Sequence, residues 1–361
     1  MLVKLKNLYN SMRLPSNYDG YICTFDLDKT YLATEFETLS GLVKIPFETA
    51  ADKKNIPGAA SLVREIKKSR PGDHTVPVYF ISGSPEGMEP VIKEKFKLDG
   101  VEIDGILFKD FKGAIKKFQF KRLIDKIGFK LGALLYGRSN FPANSVELLF
   151  GDDSEYDALI YSLYADIVNR KLEVYEALTI LKKWGLPPDE LAFIEEILDN
   201  LKKKEISDNQ AVKRIFIHLE VGRSPREFDN LSSLVTPTYN HYQTAVILYV
   251  MNVITKNGLY RIISELIRVH QFHVMEFADS TEDLLVRGLI DRKGAKELLK
   301  IVTKDNPLMQ PRRWLLELSA ELNRAIKNVK QVSSEVKKNA LGEADKSLVE
   351  NYLSITPRRH V

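Results

Sequence analysis

The feature that most constrains how this chain folds is a mostly apolar stretch that ends in two acids. Residues Tyr21 to Phe25 have the character of a buried β-strand, and Asp26 and Asp28 follow one residue apart. Two carboxylates at the end of a buried strand are costly to place there unless a partner compensates their charge. A bound cation supplies that compensation, and carboxylate oxygens are suitable ligands for Mg²⁺. The stretch therefore predicts a cation site at the carboxyl end of a strand.

Strand patterns alternate with helical patterns after this point. Further strands are predicted at residues 76–81, 103–108, 146–150 and 213–220. Helices are predicted at residues 59–68, 130–136, 158–172, 173–183 and 188–204, and the chain from residue 239 onwards is helix-like. This alternation predicts an α/β fold with a doubly wound, Rossmann-like parallel sheet. Such sheets bind their ligands at the carboxyl ends of the strands.

The pattern also predicts a division of the chain. We expect an α/β domain over residues 15–255, with a helical insertion at about 168–208, and an all-helical C-terminal region over residues 256–361. The connections between the first strands are short, which leaves room for only a minimal cap over the site. An open cleft of this kind favours bulky or surface-bound substrates.

Composition excludes few classes of function. A hydrophobic fraction of 44% and a charged fraction of 28% are ordinary for a soluble globular protein, and a net charge of +4 gives no reason to expect nucleic acid as a partner. The single cysteine, Cys23, excludes an internal disulfide framework. No signal peptide is visible, and the longest apolar run, at 245–251, is too short for a membrane span, which predicts a cytoplasmic protein. Peripheral membrane contact and the oligomeric state stay open.

Three further motifs follow predicted strands. Ser82, Gly83 and Ser84 precede Pro85 after the second strand, Gly105 to Phe111 spans the third, and Gly151 to Asp157 follows the fourth. Their order, with all acids near strand ends, predicts one shared site.

Together with the Asp-Leu-Asp-Lys-Thr run at residues 26–30, these motifs resemble the haloacid-dehalogenase (HAD) superfamily. More narrowly, they are similar to the catalytic domain of the actin-patch-protein type of Mg²⁺-dependent phosphatidate phosphatases. The resemblance covers roughly residues 20–160. Lys29 stands where that family often has an acid, and Lys109 stands where it has arginine.

The resemblance implies a role for each matching residue. Asp26 would be the nucleophile, Asp28 the general acid and base, and Thr30 a support for their loop. Ser82, Lys109 and the backbone N–H groups of Gly83 and Ser84 would bind phosphoryl oxygens, and Lys130 would offset negative charge on the nucleophile and on the phosphate. Mg²⁺ would be held by acids of the first and fourth motifs: Asp26, Asp28, Asp152, Asp153 and Asp157.

Some of these assignments have alternatives. Lys117, Lys121 and Lys126 compete with Lys130, which is preferred because it opens the helix before the fourth strand. Asp153 and Asp157 are each a metal ligand or a helix cap, and the spacing favours Asp157.

Ser84 is a ligand-binding residue or only a helix N-cap. The basic, aromatic stretch at 108–122 is either a guide for an acidic lipid surface or, as we prefer, a solvated face. His270, His273 and Glu276 have metal-like spacing, but an ordinary helix is preferred. Residues 238–243 either line the cleft or, as we prefer, form a capping and packing turn.

The sequence thus predicts a Mg²⁺-dependent phosphomonoester phosphatase that, by resemblance, acts on phosphatidate or a similar phospholipid. The alternative is a non-catalytic protein of HAD fold that senses phosphate and binds partners through its helices.

Overall fold

The computed structural model describes residues 14–33, 49–69, 75–109, 123–204, 210–302, 313–329 and 347–355. The expectations for Asp110, Phe111, Lys117, Lys121 and the remainder of 110–122 lie outside these residues. Within them the chain forms two compact units. Of the described residues, unit 1 comprises those up to residue 56, those within 76–237 and those from 347 onwards, and unit 2 comprises those within 57–75 and 238–329.

The described residues form an α/β fold with one six-stranded sheet. The strands are β1 (Tyr21–Asp26), β2 (Val78–Pro85), β3 (Gly105–Lys109), β4 (Val146–Asp152), β5 (Val212–His218) and β6 (Val235–Thr238). Their order across the sheet is β3-β2-β1-β4-β5-β6, and neighbours from β3 to β5 pair in parallel. The predicted parallel sheet is confirmed. The sequence analysis missed only β6, a four-residue strand that contains a proline.

Twelve α-helices are present among the described residues. They are α1 (Ala59–Lys67), α2 (Glu89–Leu98), α3 (Leu123–Asn140), α4 (Asp157–Val168), α5 (Val174–Trp184), α6 (Pro188–Lys203), α7 (His241–Val250), α8 (Lys256–Arg268), α9 (Val274–Val286), α10 (Arg292–Val302), α11 (Arg313–Asn328) and α12 (Leu348–Ser354). The helices described here include none long and apolar enough to span a bilayer.

One face of the sheet carries a row of stacked phenylalanine rings. Phe25 lies in register with Phe80 and with Phe150, and its ring centroid is 5.4 Å and 4.0 Å from theirs. Phe216 extends the row, 5.0 Å from Phe150. Phe96 of α2 packs onto it, 4.8 Å from Phe80. Four adjacent strands are therefore tied together at one level by aromatic contact as well as by hydrogen bonds.

The opposite face is covered by α3 and α4. Alternation along β1 places Ile22 and Asp26 on this side, away from Phe25. Ile22 belongs to a core cluster that includes buried residues of α3 and α4. Asp26 ends this row, after Thr24, so its carboxylate meets polar side chains from the same two helices.

A buried ion pair lies at the other end of β4. Arg138 of α3 and Glu147 are both fully buried, and Nη1 of Arg138 lies 3.3 Å from Oε1 of Glu147. Arg138 also donates to the carbonyl oxygens of Pro142 and Ala143, and the hydroxyl of Tyr164 donates to Glu147 at 2.7 Å. Burial raises the pKa of Glu147, although Arg138 opposes the rise. The pair links α3, β4 and α4.

The last described helix packs within unit 1. Tyr352 of α12 donates to Asp166 at 2.6 Å, and its carbonyl oxygen accepts a hydrogen bond from the Trp184 indole at 3.2 Å. Helices α5 and α6 lie within 168–208, the segment predicted as a helical insertion. Of the two, α6 packs against α3: Glu190 lies against Gly128, and Lys204, which follows α6, donates to the carbonyl of Ser139 at 3.1 Å.

Unit 2 is helical. The guanidinium of Arg261 on α8 binds both carboxylate oxygens of Glu65 on α1, at 2.8 Å and 2.6 Å. Asn240 caps α7 by accepting from the Gln243 N–H, so the capping turn expected at 238–243 is confirmed. The units place α1 and α7 with the later helices, whereas the predicted division ran at 255. The prediction concerns domains, whereas the two units are defined by compactness alone. The division into domains at 15–255 and 256–361 stays a prediction.

Two local predictions were wrong. The helix expected at 130–136 runs from Leu123 to Asn140. Gly137, a residue type that often ends helices, lies within it and does not end it. His270, His273 and Glu276 do not share a helical face. His273 is the N-cap of α9, and Glu276 accepts from the backbone N–H of His273 in a capping box.

We expect Arg138→Met to destabilise unit 1 by about 3–5 kcal/mol, since it leaves the Glu147 carboxylate buried without its cation. Equilibrium unfolding in urea measures the change. Arg324→Met is the matched control, because Arg324 pairs with Glu321 on an exposed helix surface and its loss should cost less than about 1 kcal/mol. Equal effects of the two substitutions would contradict the role given to the buried pair.

Candidate active site

Three carboxylates converge at the carboxyl edge of the sheet. Asp26 ends β1, Asp152 ends the neighbouring β4, and Asp157 is the first residue of α4. One carboxylate oxygen from each lies within 4.8 Å of the others, and all three side chains are buried. The order of the strands reverses at β1 and β4, which is where open parallel sheets bind ligands.

Lys130 of α3 reaches into this cluster. Its Nζ is 2.8 Å from Oδ1 of Asp26 and forms a shorter contact with Oδ1 of Asp157, while the side chain is only 1% exposed. Lys130 lies in the middle of α3, not at the helix start that the sequence analysis assumed. Lys130 is thus found beside Asp26 as predicted. It reaches Asp26 from the middle of α3, not from the start of a helix.

Burial dominates the electrostatics of the cluster. It raises the pKa of Asp26 well above the usual range, against the opposing effect of Lys130, and raises the pKa of Asp152 to about 7. Burial also raises the pKa of Asp157. Burial works to lower the pKa of Lys130, but Asp157 and Asp26 outweigh it, so the ammonium stays charged.

A second ion pair borders the cluster. Glu155 forms a short contact with Lys126, and its other oxygen lies 3.6 Å from the Nζ of Lys130. Burial acts to raise the pKa of Glu155, but the two lysines lower it to about 2. Lys126, which competed with Lys130 in the sequence analysis, therefore contacts Glu155, whereas Lys130 contacts Asp26.

The arrangement fits a divalent cation. Three carboxylates face one ammonium group, which leaves two negative charges in excess when all are ionised. Oδ2 of Asp152 and Oδ2 of Asp157 are buried and have no hydrogen-bond partner among the described residues. Buried carboxylate oxygens without partners are costly, and a hard cation is the ligand that oxygen donors of this kind prefer.

Asp153 points to different partners. Its carboxylate accepts the backbone N–H of Val221 at 2.9 Å and that of Arg223 at 3.2 Å. It is therefore occupied in holding the loop after β5. Of the two candidates left open by the sequence, Asp157 is the one that joins the carboxylate cluster.

Asp28 stands apart from the cluster and interacts with the second motif. Ser84 donates to Oδ2 of Asp28 at 2.7 Å, and Ser82 donates to the same oxygen at 3.2 Å. The Ser84 N–H donates in turn to Oγ of Ser82 at 3.0 Å. Ser84 makes no helix-capping bond, so the alternative interpretation of Ser84 as an N-cap is wrong.

The remaining predicted residues lie on the same edge. Thr30 is buried in the tight turn after β1, where the Lys29 N–H bonds the carbonyl of Leu32. Gly83 is in β2, with open space around its Cα. Lys109 ends β3, with β2 between it and β1. The structure brings Asp26, Lys130, Asp152 and Asp157 together, and Asp28, Ser82 and Ser84 form a second group.

Gly151 allows α4 to approach the sheet closely. A Cβ at this position would lie 2.6 Å from Oδ2 of Asp157 and 2.9 Å from Cε2 of Tyr161. The glycine therefore permits α4 to begin directly against β4, which brings the Asp157 carboxylate to Asp26.

Sequence reasoning missed three residues at this edge. Glu155 contacts Lys130, Tyr161 is buried beside Gly151, and His218 ends β5 in register with Asp152. Glu155 lies inside the fourth motif and His218 ends the predicted late strand. The sequence therefore already indicated that both residues lie at this edge of the sheet. Tyr161 lies one helical turn after Asp157, a spacing that places it on the same face.

We expect Gly151→Ala to destabilise the protein by about 1–3 kcal/mol, because its methyl group overlaps Asp157 and Tyr161. Thermal or urea unfolding measures the loss. Gly87→Ala is the control, since a Cβ there has no neighbour within 4 Å. Identical stability of both variants would argue against close packing at Gly151.

Comparison with known proteins bears on this edge of the sheet. Residues 22–180 match the family model described as phosphatidate phosphatase APP1, catalytic domain. Neither the comparison with curated proteins nor the comparison with solved structures found a significant match. The matched segment holds every residue of the carboxylate cluster and Lys130. The resemblance indicated by the motifs is confirmed: this part of the chain is similar to the catalytic domain of a phosphatidate phosphatase.

Proposed function

We propose that this protein is a Mg²⁺-dependent phosphomonoester hydrolase of the HAD type that acts through an aspartyl-phosphate. The observation that carries the proposal is the buried group of Asp26, Asp152, Asp157 and Lys130, at the reversal point of the strand order and within the matched segment. The strand order and the strand-end position of Asp26 support a HAD-like Rossmann sheet. The packing of α6 against α3, with α5 against α6, is consistent with a minimal cap.

In the first half of the proposed reaction, a carboxylate oxygen of Asp26 attacks the phosphorus atom of the substrate. The bond from phosphorus to the leaving oxygen breaks, and the carboxyl group of Asp28 gives that oxygen its proton. The hydroxyls of Ser82 and Ser84 hold Asp28 in place through its Oδ2. Lys130 stabilises negative charge on Asp26 and on the phosphoryl group.

In the second half, the Asp28 carboxylate takes a proton from water, whose oxygen attacks the phosphorus of the aspartyl-phosphate. Inorganic phosphate leaves and Asp26 is restored. Asp26, Asp152 and Asp157 would hold Mg²⁺, with Asp28 as a further candidate from the motif. The ion, when bound, reduces the repulsion between the carboxylates and a phosphate dianion.

The substrate class follows from the family match, not from a pocket. The matched domain is that of a phosphatidate phosphatase, so we propose phosphatidate or a similar phospholipid. A lipid substrate requires at least transient contact with a membrane surface. We keep the cytoplasmic location and the absence of nucleic-acid partners as predictions.

The experiment measures phosphate release by the purified full chain from an aryl phosphate and from phosphatidate in mixed micelles, with Mg²⁺ or with EDTA. We expect phosphate release only with Mg²⁺, and we expect Asp26→Asn to lower the rate of release by at least about a thousandfold. Asp229→Asn, at an exposed position, is the matched control and should retain full activity.

The outcomes separate the candidate functions. Release from phosphatidate with little from soluble esters supports the lipid substrate. Absence of release together with Mg²⁺-dependent binding of beryllium fluoride supports the non-catalytic, phosphate-sensing alternative. Absence of both would contradict the proposed function.

The metal ligands are tested by paired substitutions. We expect Asp157→Asn to raise the Mg²⁺ concentration needed for half-maximal activity by about 10–100-fold or more, since the carboxylate joins the cluster. Asp153→Asn should leave that concentration unchanged and lower the melting temperature, because Asp153 binds backbone N–H groups. A higher Mg²⁺ requirement in Asp153→Asn, with an unchanged requirement in Asp157→Asn, would identify Asp153 as the metal ligand.

A further inference from the structure

Tyr161 is a buried polar group that the proposed reaction does not use. Its side chain is 1% exposed, and its hydroxyl has no hydrogen-bond partner among the described residues. A buried hydroxyl without a hydrogen-bond partner is costly. We therefore expect a bound ligand or water to supply the partner.

The position of Tyr161 indicates what that ligand is. Its ring lies beside Gly151, in the contact that also includes the Asp157 carboxylate. The phenol interacts electrostatically with Asp157, Lys130, Asp26 and Asp152, which are the four groups of the cluster. The buried atoms of this cluster without a hydrogen-bond partner among the described residues are one carboxylate oxygen each of Asp26, Asp152 and Asp157, and one hydroxyl; of these, the Asp26 oxygen is ion-paired with Lys130.

These atoms have different chemistry. Carboxylate oxygens bind a cation directly, whereas a neutral phenol is a weak ligand for Mg²⁺ and a good hydrogen-bond partner for water. Mg²⁺ gives up its hydration reluctantly and keeps several waters when it binds to proteins. A hydroxyl placed beside the carboxylates is thus suited to a water of the cation's hydration shell.

We propose that Tyr161 is a positioning residue of the cation site, whose hydroxyl hydrogen-bonds a water that hydrates the cation held by Asp26, Asp152 and Asp157. This inference rests on the proposed function and extends it beyond the residues of the four motifs. Groups that orient the ligands of a metal from outside its coordination shell typically change metal affinity by 10–100-fold.

The test compares Tyr161→Phe with the wild-type chain by thermal unfolding in EDTA and across a MgCl₂ titration. We expect the variant to be at least as stable as wild type in EDTA, because an unpartnered buried hydroxyl has been removed. The Mg²⁺ concentration at half-maximal stabilisation should rise about tenfold.

Tyr164→Phe is the matched control, three residues further along α4. Its hydroxyl donates to Glu147 at 2.7 Å, at the opposite end of β4 from Asp152. Tyr164→Phe should lower the melting temperature in EDTA and leave the Mg²⁺ midpoint unchanged. The two variants therefore separate a role in folding from a role at the cation site.

Each outcome decides between the possibilities. An unchanged Mg²⁺ midpoint in Tyr161→Phe overturns the inference. Failure of the variant to fold, or a large loss of stability in EDTA, also overturns it, because the hydroxyl would then be needed without the cation. A wild-type chain that Mg²⁺ does not stabilise would contradict the proposed cation site itself, which distinguishes that failure from the failure of Tyr161 alone.

Discussion

The carboxyl edge of the sheet depends on one buried ammonium group. Lys130 contacts Asp26 from β1 and Asp157 from α4, while its own helix α3 packs on the same face of the sheet. Without it, two buried carboxylates from different elements would repel each other in a medium that screens charge poorly. The lysine thus holds three elements together. With all three carboxylates ionised the cluster keeps an excess of negative charge, which a divalent cation would balance.

The remainder of the sheet makes this arrangement rigid. The stacked rings of Phe80, Phe25, Phe150 and Phe216 lie on the face of the sheet opposite to Asp26, at the level of the residue that precedes Asp26 in β1. Gly151 lets α4 begin against β4 on the cluster side. Functional groups on strand ends and on the first turn of a helix are positioned more accurately than groups on long loops, because packing determines their rotamers.

Polar contacts divide the motif residues into two groups. Asp26, Asp152 and Asp157 are buried around Lys130, whereas Asp28 is partly exposed and bound by Ser82 and Ser84. Two carboxylates of the same motif therefore lie in different surroundings. The proposed reaction, with Asp26 as nucleophile and Asp28 as the group that exchanges protons, would require such a difference in surroundings.

Much of the fold was predictable, because apolar strands between helical segments leave few alternatives to a parallel sheet. β1 to β5 were predicted with errors of only a few residues at their ends, and the acids of the motifs lie at strand ends as expected. The errors concerned where helices begin and end: α3 extends beyond 130–136, and α9 begins only after His273. Gly137 did not end α3, since tertiary packing outweighs the modest helix propensity cost of a glycine.

The sequence by itself determined which residue types reach the carboxyl edge, because alternation along a strand and the direction of parallel strands follow from local pattern. Only the tertiary structure decided between Asp153 and Asp157, which are four residues apart in one motif. The first accepts backbone N–H groups from the loop after β5, and the second meets Lys130 from α3. Tyr161 was hidden for the same reason: a tyrosine in an apolar helix resembles any core residue until the charges packed around it are known. The site is assembled by contacts between segments that are distant in sequence. The local sequence pattern of each segment does not indicate such contacts.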